Sequence, residues 1–225
     1  DVISRNKLTD GYADSLQQFL QKSIKQFLSE SSSENLVYSP LNVYISLGML
    51  AELTDGTSRS QILELLDCND MSSLRSRISS MWNANYRDDG ANARILASSL
   101  WLNNDVRFVP STLDVLAKHY YASSYQGMMG SDAFQQMFQD WLSTQTGRLL
   151  DDYVSDLDLL KEDTILALAT TVYFRGKWQS EFSPELTAPQ TFHSDAGDLD
   201  CDFMHKQMEN AYFSGEHFSA VSQSM

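Results

Sequence analysis

An α+β fold is what this sequence predicts, and three observations predict it. The first part of the chain is written mainly in helical spacing and the last part in short alternating strands. Helices and strands do not alternate regularly, as they would in a doubly wound parallel sheet. Between them lies one long apolar run, Ile165 to Phe174, too apolar and too β-branched for a solvent-facing strand. Such a run suits a central strand covered on both faces.

The elements follow in order. Tyr12, Leu16, Phe19, Leu20, Ile24, Phe27 and Leu28 recur at helical spacing and predict an amphipathic helix over 10–30. The polar stretch SESSSEN (29–35) is a linker. Ser39 before Pro40 reads as an N-cap with proline at the first helical position. The helix it opens runs through Val43, Leu47, Leu50 and Leu53, apolar enough to be largely buried, and Asp55-Gly56 ends it. Thr57 or Ser58 caps a short helix to about Leu66, with Ile62, Leu63, Leu65 and Leu66 inward, and 71–86 is a fourth helix. Asn92 to Asn103 reads as a strand closed by an Asn103-Asn104-Asp105 turn. Phe108 to Tyr121 returns to helix, and 121–126 reads as a short strand. Asp132 to Thr146 is a helix with Phe134, Phe138, Trp141 and Leu142 on one side, stopped by Gly147. An acidic connector with Asp151, Asp152, Asp156, Asp158, Glu162 and Asp163 leads into the central strand. That strand breaks at Arg175-Gly176-Lys177, and Trp178 and Phe182 follow at helical spacing as aromatics that cap a core. Beyond them the strands are 189–194, 199–204, 210–213 and 217–222, and Tyr173 and Phe174 read as core residues.

Composition narrows the function. The chain has 225 residues, 42% hydrophobic and 11% aromatic, as expected of a globular domain with a real core. A formal net charge of −14 repels phosphate backbones and anionic lipid surfaces, which argues against nucleic-acid and membrane partners. No apolar run is long enough to cross a bilayer, and DVISRNKLTD has no apolar signal region. Cys68 and Cys201 are the only cysteines and make no disulfide framework.

Catalytic and metal patterns are missing from the sequence. It has no Gly-x-Ser-x-Gly elbow, no phosphate-binding glycine loop and no His-Glu-x-x-His pair, so an enzyme is not expected, nor a cofactor. Ser4 and Lys7 have Ser-x-x-Lys spacing, but in a polar tail. His193, Cys201, His205 and His217 are zinc-type residues without the close-spaced pairs of a zinc site, and they read as half-exposed strand positions. Asp151, Asp152 and Asp156 lack the glycine and distal glutamate of a calcium loop.

Several segments resemble the serpin family, in the order that family requires. NLVYSPLNVYISLGML (35–50) is similar to the strand leading into helix B, and AELTDGTSRSQILELL (51–66) to the turn from helix B to helix C. WLSTQTGRLLDDYV (141–154) looks like the end of helix F. ATTVYFRGKWQSEF (169–182) looks like strand 3 of sheet A and the turn after it, and TFHS (191–194) with the strands beyond is similar to parts of sheets C and B. The resemblance implies the N-terminal portion of a serpin fold: helices A to F, strands 1 to 3 of sheet A and parts of sheets B and C, within a single domain over 1–225. It implies a suicide inhibitor of serine or cysteine proteases, outside the cell or at its surface. A cleaved reactive loop inserts into sheet A beside strand 3. Metastability of the native sheet drives the insertion. The runner-up is a non-inhibitory serpin acting as carrier, chaperone or storage protein.

The resemblance also implies site residues. Ser39 matches the serine of the shutter, the region beneath the opening of sheet A, although helix capping accounts for it equally. Asn42 stands where the family usually has a second serine and Thr170 where it has an asparagine, so the amide has moved from strand to helix in a compensating pair. Trp178 matches the breach tryptophan, where insertion starts. Some members bind heparin through a basic helix D; here Arg75, Arg77 and Arg87 are flanked by Asp67, Asp70, Asp88 and Asp89, and no heparin site is expected. The reactive loop lies beyond Met225 in the family pattern, so the fold is expected to be incomplete without a C-terminal portion or second chain. The alternating Phe218, Ala220 and Ser222 read as a last strand lacking its partner.

Overall fold

The computed structural model describes residues 11, 13–29, 36–90, 92–155, 158–194 and 196–224. Ser4, Lys7, Tyr12, Asp156 and most of the 29–35 linker lie outside them. The chain forms two compact units, one of residues up to 88 and 93–174, the other of 89–92 and 175 onward.

In the first unit, α1 (Asp14–Leu28) buries Phe19, while Phe27 stacks flat on Tyr38 with ring centroids 4.4 Å apart. α2 (Pro40–Leu53) starts at Ser39 as its sequence requires and buries Tyr44, Ile45, Met49 and Ala51. At Gly48 the missing side chain matters: a Cβ would sit 2.3 Å from Ile78 Cδ1 and 3.0 Å from Tyr120 Cε1. Asp55 does not end this helix. It caps α3 (Gly56–Leu65) by accepting from the Gly56 N–H at 2.8 Å, displacing Thr57 and Ser58 from that role. Gly56 takes φ +57°, a conformation few other residues adopt cheaply. Ile62, Leu63 and Leu66 pack inward, but Leu65 lies off their stripe and is exposed. α4 (Met71–Asn85) is capped by Asp70, whose carboxylate accepts from the Ser73 N–H at 2.9 Å.

The sheet of this unit contains β1 (Arg87–Asp88), β2 (Ala93–Asn103), β3 (Ala122–Gly127) and β4 (Leu166–Arg175). β2 pairs antiparallel with β1, parallel with β3 and also with β4. The end of β2 meets the start of β4, where the Asn103 N–H donates to the Ile165 carbonyl at 3.1 Å. Parallel pairing of β2 and β3 needs a crossover, and α5 (Pro110–Tyr120) supplies it. Tyr121 ends α5 in the left-handed region at φ +53°.

Alternation along the strands divides the core in two. Leu96, Leu100, Leu102, Leu166 and Leu168 join the cluster built on α2, α4 and α5. Trp101, Tyr125, Ala167 and Ala169 join the opposite cluster, with Phe134, Phe138 and Trp141 of α6 (Asp132–Gln145). Trp101 is its centre, edge-on to Phe138 at 5.0 Å and stacked on Tyr125 at 4.4 Å. The short helix α7 (Asp151–Val154) follows, tied back to α6 by the Ser143 hydroxyl, which donates to the Asp151 carboxylate.

The second unit holds two antiparallel hairpins, β5 (Ala188–Ser194) with β6 (Gly197–Phe203) and β7 (Tyr212–Ser214) with β8 (Ser219–Val221). Phe218, Ala220 and Ser222 therefore lie on or beside a last strand that does have a partner, β7, formed by Tyr212–Ser214. No helix among the described residues is long and apolar enough to cross a membrane.

Candidate functional site

The shutter candidates meet where α2 lies against β4. Even-numbered residues of β4 face α2, so Thr170 points toward the first turns of that helix. The Ser39 Oγ accepts from the Asn42 N–H at 3.4 Å, the N-cap bond expected of serine before Pro40. That leaves the Asn42 amide free to reach the strand. Its Nδ2 donates to the Thr170 carbonyl at 3.3 Å, and the Thr170 hydroxyl lies 3.4 Å from the Asn42 carbonyl. Ser46, one turn further along the same helix face, completes the set with its Oγ 3.0 Å from Thr170 Oγ1. Asn42 and Thr170 are thus in direct contact across 128 residues of chain, and Ser39 contributes by capping. Ser46 escaped the sequence reading, although its spacing of four from Asn42 and seven from Ser39 was visible.

The opposite face of β4 lies under the end of α6. Gly147 takes φ +59°, and a Cβ there would lie 2.7 Å from Tyr173 Cε2. The glycine therefore stops α6 and also makes room for the Tyr173 ring. Thr171 is buried on this face, and its hydroxyl has no partner among the described residues.

β4 is not covered on both faces along its length. Its first half is partly buried, but Val172 is 41% and Phe174 52% exposed, so Phe174 is not a core residue. Among the described residues β2 is the only strand paired with β4, which leaves the other edge of β4 unpaired. The long apolar run reflects burial along Leu166–Thr171 and an uncovered end beyond it.

Trp178 belongs to the second unit, is 40% exposed and packs edge-on against Phe182 with centroids 5.9 Å apart. Lys206 Nζ lies 5.2 Å from the Phe182 ring centroid, so the turn is held by an aromatic pair and a cation. His193 pairs with Asp198 at 2.7 Å on one face of the β5–β6 hairpin, whereas Cys201 faces the other way opposite Gln190. Among the described residues no group of three or more His, Cys, Asp or Glu could hold a metal ion.

Arg75 is committed inside the first unit. Its Nε and Nη2 each reach one Glu52 carboxylate oxygen at 2.7 Å, a bidentate pair. The Tyr120 hydroxyl donates to the same carboxylate at 2.9 Å, joining α2, α4 and α5 at one point. The bond to Glu52 raises the Arg75 pKa, while burial, reinforced by the Glu52 charge, pushes the Tyr120 phenol far up. Burial, with the charges of Lys118 and Arg75, lowers His119. Arg77 donates to the Asp67 carbonyl at 2.6 Å and to Cys68 Sγ at 3.3 Å. None of these residues stood out as a network in the sequence.

The family model described as Serpin (serine protease inhibitor) matches residues 14–223. The chain belongs to that family, a family of protease inhibitors. An alpha-1-antiproteinase of Mus saxicola is 27% identical over 186 residues, covering 80% of this chain and 44% of the relative. The alpha-1-antitrypsin of Meriones unguiculatus is 28% identical over 171 residues, covering 74% and 41%. The chain thus spans less than half the length of these curated relatives. Among solved structures, AtSerpin1 of Arabidopsis in its native stressed conformation superposes with a TM-score of 0.80 at 23% identity, over 93% of this chain and 56% of that one. Cleaved kallistatin complexed with heparin gives 0.82 at 22%, over 94% and 64%. Both likenesses concern the fold: the described helices and strands are those of an N-terminal portion of a serpin, with incomplete sheets.

Proposed function

We propose that this chain is the sheet-bearing portion of a serpin-type suicide inhibitor of serine or cysteine proteases, acting outside the cell. The observation that carries this reading is the match of residues 14–223 to the serpin family model, and the element it makes central is β4, whose edge away from β2 faces the strands that the rest of the protein brings. A strand edge of N–H and C=O groups is a template for a further strand. A cleaved reactive loop, supplied by a C-terminal portion or second chain, adds itself there and carries the acyl-linked protease with it. The Asn42–Thr170–Ser46 contacts hold β4 against α2, so the incoming strand meets a fixed edge. In this reading Ser39 supports the lock by capping, and Trp178 marks the end where insertion begins. Relatives named alpha-1-antiproteinase and alpha-1-antitrypsin favour inhibition over carrier or storage roles. Heparin is not a partner in this reading, because Arg75 and Arg77 are spent on Glu52, Asp67 and Cys68.

The test uses the protein with its reactive loop present. Incubation with a panel of serine and cysteine proteases yields a covalent inhibitor–protease complex that survives boiling in detergent. Cleavage of the loop by every protease tested, with free active protease always released, refutes the inhibitory reading.

A further inference from the structure

Two of the described tyrosines are well exposed, Tyr153 at 74% and Tyr212 at 67%, and the other described ones are buried or half-buried. Their surroundings differ. Tyr212 lies inside β7, and its hydroxyl donates to the Ser219 Oγ at 2.9 Å. Tyr153 stands on α7, a helix of only four residues, in the connector between α6 and β4. Val154 anchors this turn at 2% exposure, while the Tyr153 ring extends into solvent. The Tyr153 and Val154 N–H groups donate to the Leu150 carbonyl at 2.9 and 2.8 Å, and a single turn held by such bonds opens at little cost. The charge around the ring is one-sided. Residues 151–158 read DDYVSDLD, with four aspartates and no lysine or arginine. Arg148, just before the run, is engaged by Asp151 Oδ2 at 2.9 Å. Ser155 donates to the Asp152 carbonyl at 3.3 Å. Of the two hydroxyls in this run, that of Ser155 is turned to the backbone and that of Tyr153 is carried on an exposed ring.

We infer that Tyr153 is a site of O-sulfation, recognised through the aspartates that flank it. An enzyme that takes a sulfuryl group from a phosphosulfate anhydride binds a donor carrying several negative charges, so its cleft is cationic. A tyrosine among carboxylates is drawn to such a cleft, and Asp152 directly before Tyr153, with Asp156 and Asp158 beyond it, supplies that charge. Tyr212 has Ala211 and Phe213 as its neighbours and is fixed in a strand, so it does not compete. The chemistry is a substitution at sulfur. The phenolic oxygen attacks the sulfur, an aryl O–S bond forms, and the S–O bond of the anhydride breaks. The phosphate leaves with that electron pair, the phenolic proton passes to a base of the transferase, and nothing is oxidised or reduced. The product fixes one further negative charge in the connector that leads into β4. Such transfer acts on proteins in transit out of the cell, so this assignment rests on the extracellular reading.

The test is transfer to the purified loop-bearing protein, with phosphoadenylyl sulfate carrying labelled sulfur as donor and Golgi membranes as the source of transferase. Uptake is expected to map to the peptide that holds Tyr153. Tyr153→Phe, a change at an exposed position that leaves the fold intact, is expected to abolish it. Asp152→Asn combined with Asp156→Asn is expected to slow the transfer about tenfold, through weaker encounter with the cationic cleft. The assignment is overturned if the wild type takes up no label, if Tyr153→Phe takes up as much, if the label maps to Tyr212, or if the aspartate variant reacts at the wild-type rate. The assay needs neither secretion nor inhibition, so a protein that takes up the label at Tyr153 and traps no protease counts against the inhibitory reading alone.

Discussion

Glu52→Gln is the substitution whose cost can be worked most fully from the structure. Glu52 is nearly buried, with 4% of its side chain accessible, and its carboxylate accepts from Arg75 Nε and Nη2 at 2.7 Å each and from the Tyr120 hydroxyl at 2.9 Å. The amide keeps the shape but loses the charge, and its NH₂ faces a donor whichever way it is turned. Arg75 is left without a counter-charge. Breaking one side of a fully buried ion pair costs about 3–5 kcal/mol. The Arg75 side chain is 32% accessible, so water recovers part of its charge. About 3 kcal/mol is therefore expected, at the lower end of that range. For a chain of this size that corresponds to a fall in Tm of roughly 6–12 °C. Urea unfolding followed by far-ultraviolet circular dichroism measures it, with Arg75→Met as the companion variant. A loss below about 1 kcal/mol would place the pair with exposed surface bridges and refute the claim that it pins α2, α4 and α5 together.

Four further outcomes test the sheet and its caps. Ser46→Ala and Thr170→Val in a double-mutant cycle should show a coupling of about 1 kcal/mol in denaturant unfolding, and Asn42→Ser should cost about 0.5–1.5 kcal/mol for the bond to the Thr170 carbonyl; an Asn42→Ser protein with unchanged stability and inhibition rejects the compensation of strand asparagine by helix asparagine. Gly147→Ala should lose about 2–4 kcal/mol in thermal melts, because it combines a left-handed alanine with a Cβ only 2.7 Å from Tyr173, and a loss under about 1 kcal/mol contradicts that close approach. Asp70 has its carboxyl held below the ordinary 3.8, first by the bond from the Ser73 N–H. A folded pKa below the unfolded one makes its contribution complete above pH 3.8 and lost as pH falls through the lower folded value. Asp70→Asn should therefore flatten the acid limb of the stability curve without abolishing the cap, and an unaltered acid limb counts against this assignment.

Much of the fold was legible because the signals were local. Ser39-Pro40, the Phe134–Phe138–Trp141 stripe and Gly147 each carry their structural reason within a few residues. The contact between Asn42 and Thr170 was legible only through family resemblance, since the two are distant in sequence and neither looks unusual alone. Ser46 was missed because a serine inside an apolar helix reads as tolerated until its partner across the gap is known. The Glu52–Arg75–Tyr120 set was invisible for the same reason: its members sit on three helices, and pairing across helices leaves no periodic trace. Asp55 was misplaced by one element because Asp-Gly signals a helix end and a helix start with equal force. The apolar run of β4 overstated its cover, because composition reports what a strand can bury and not which neighbours lie beside it. Trp178 likewise looked like core and is half-exposed on Phe182.

The central claim is that β4 offers an edge that receives the cleaved loop, and amide hydrogen exchange along Leu166–Arg175 tests it most directly. Measured on the loop-bearing protein before and after loop cleavage, the β4 amides that point away from β2 should become strongly protected on cleavage, together with a large rise in Tm. Unchanged exchange at those amides after complete cleavage would contradict the account.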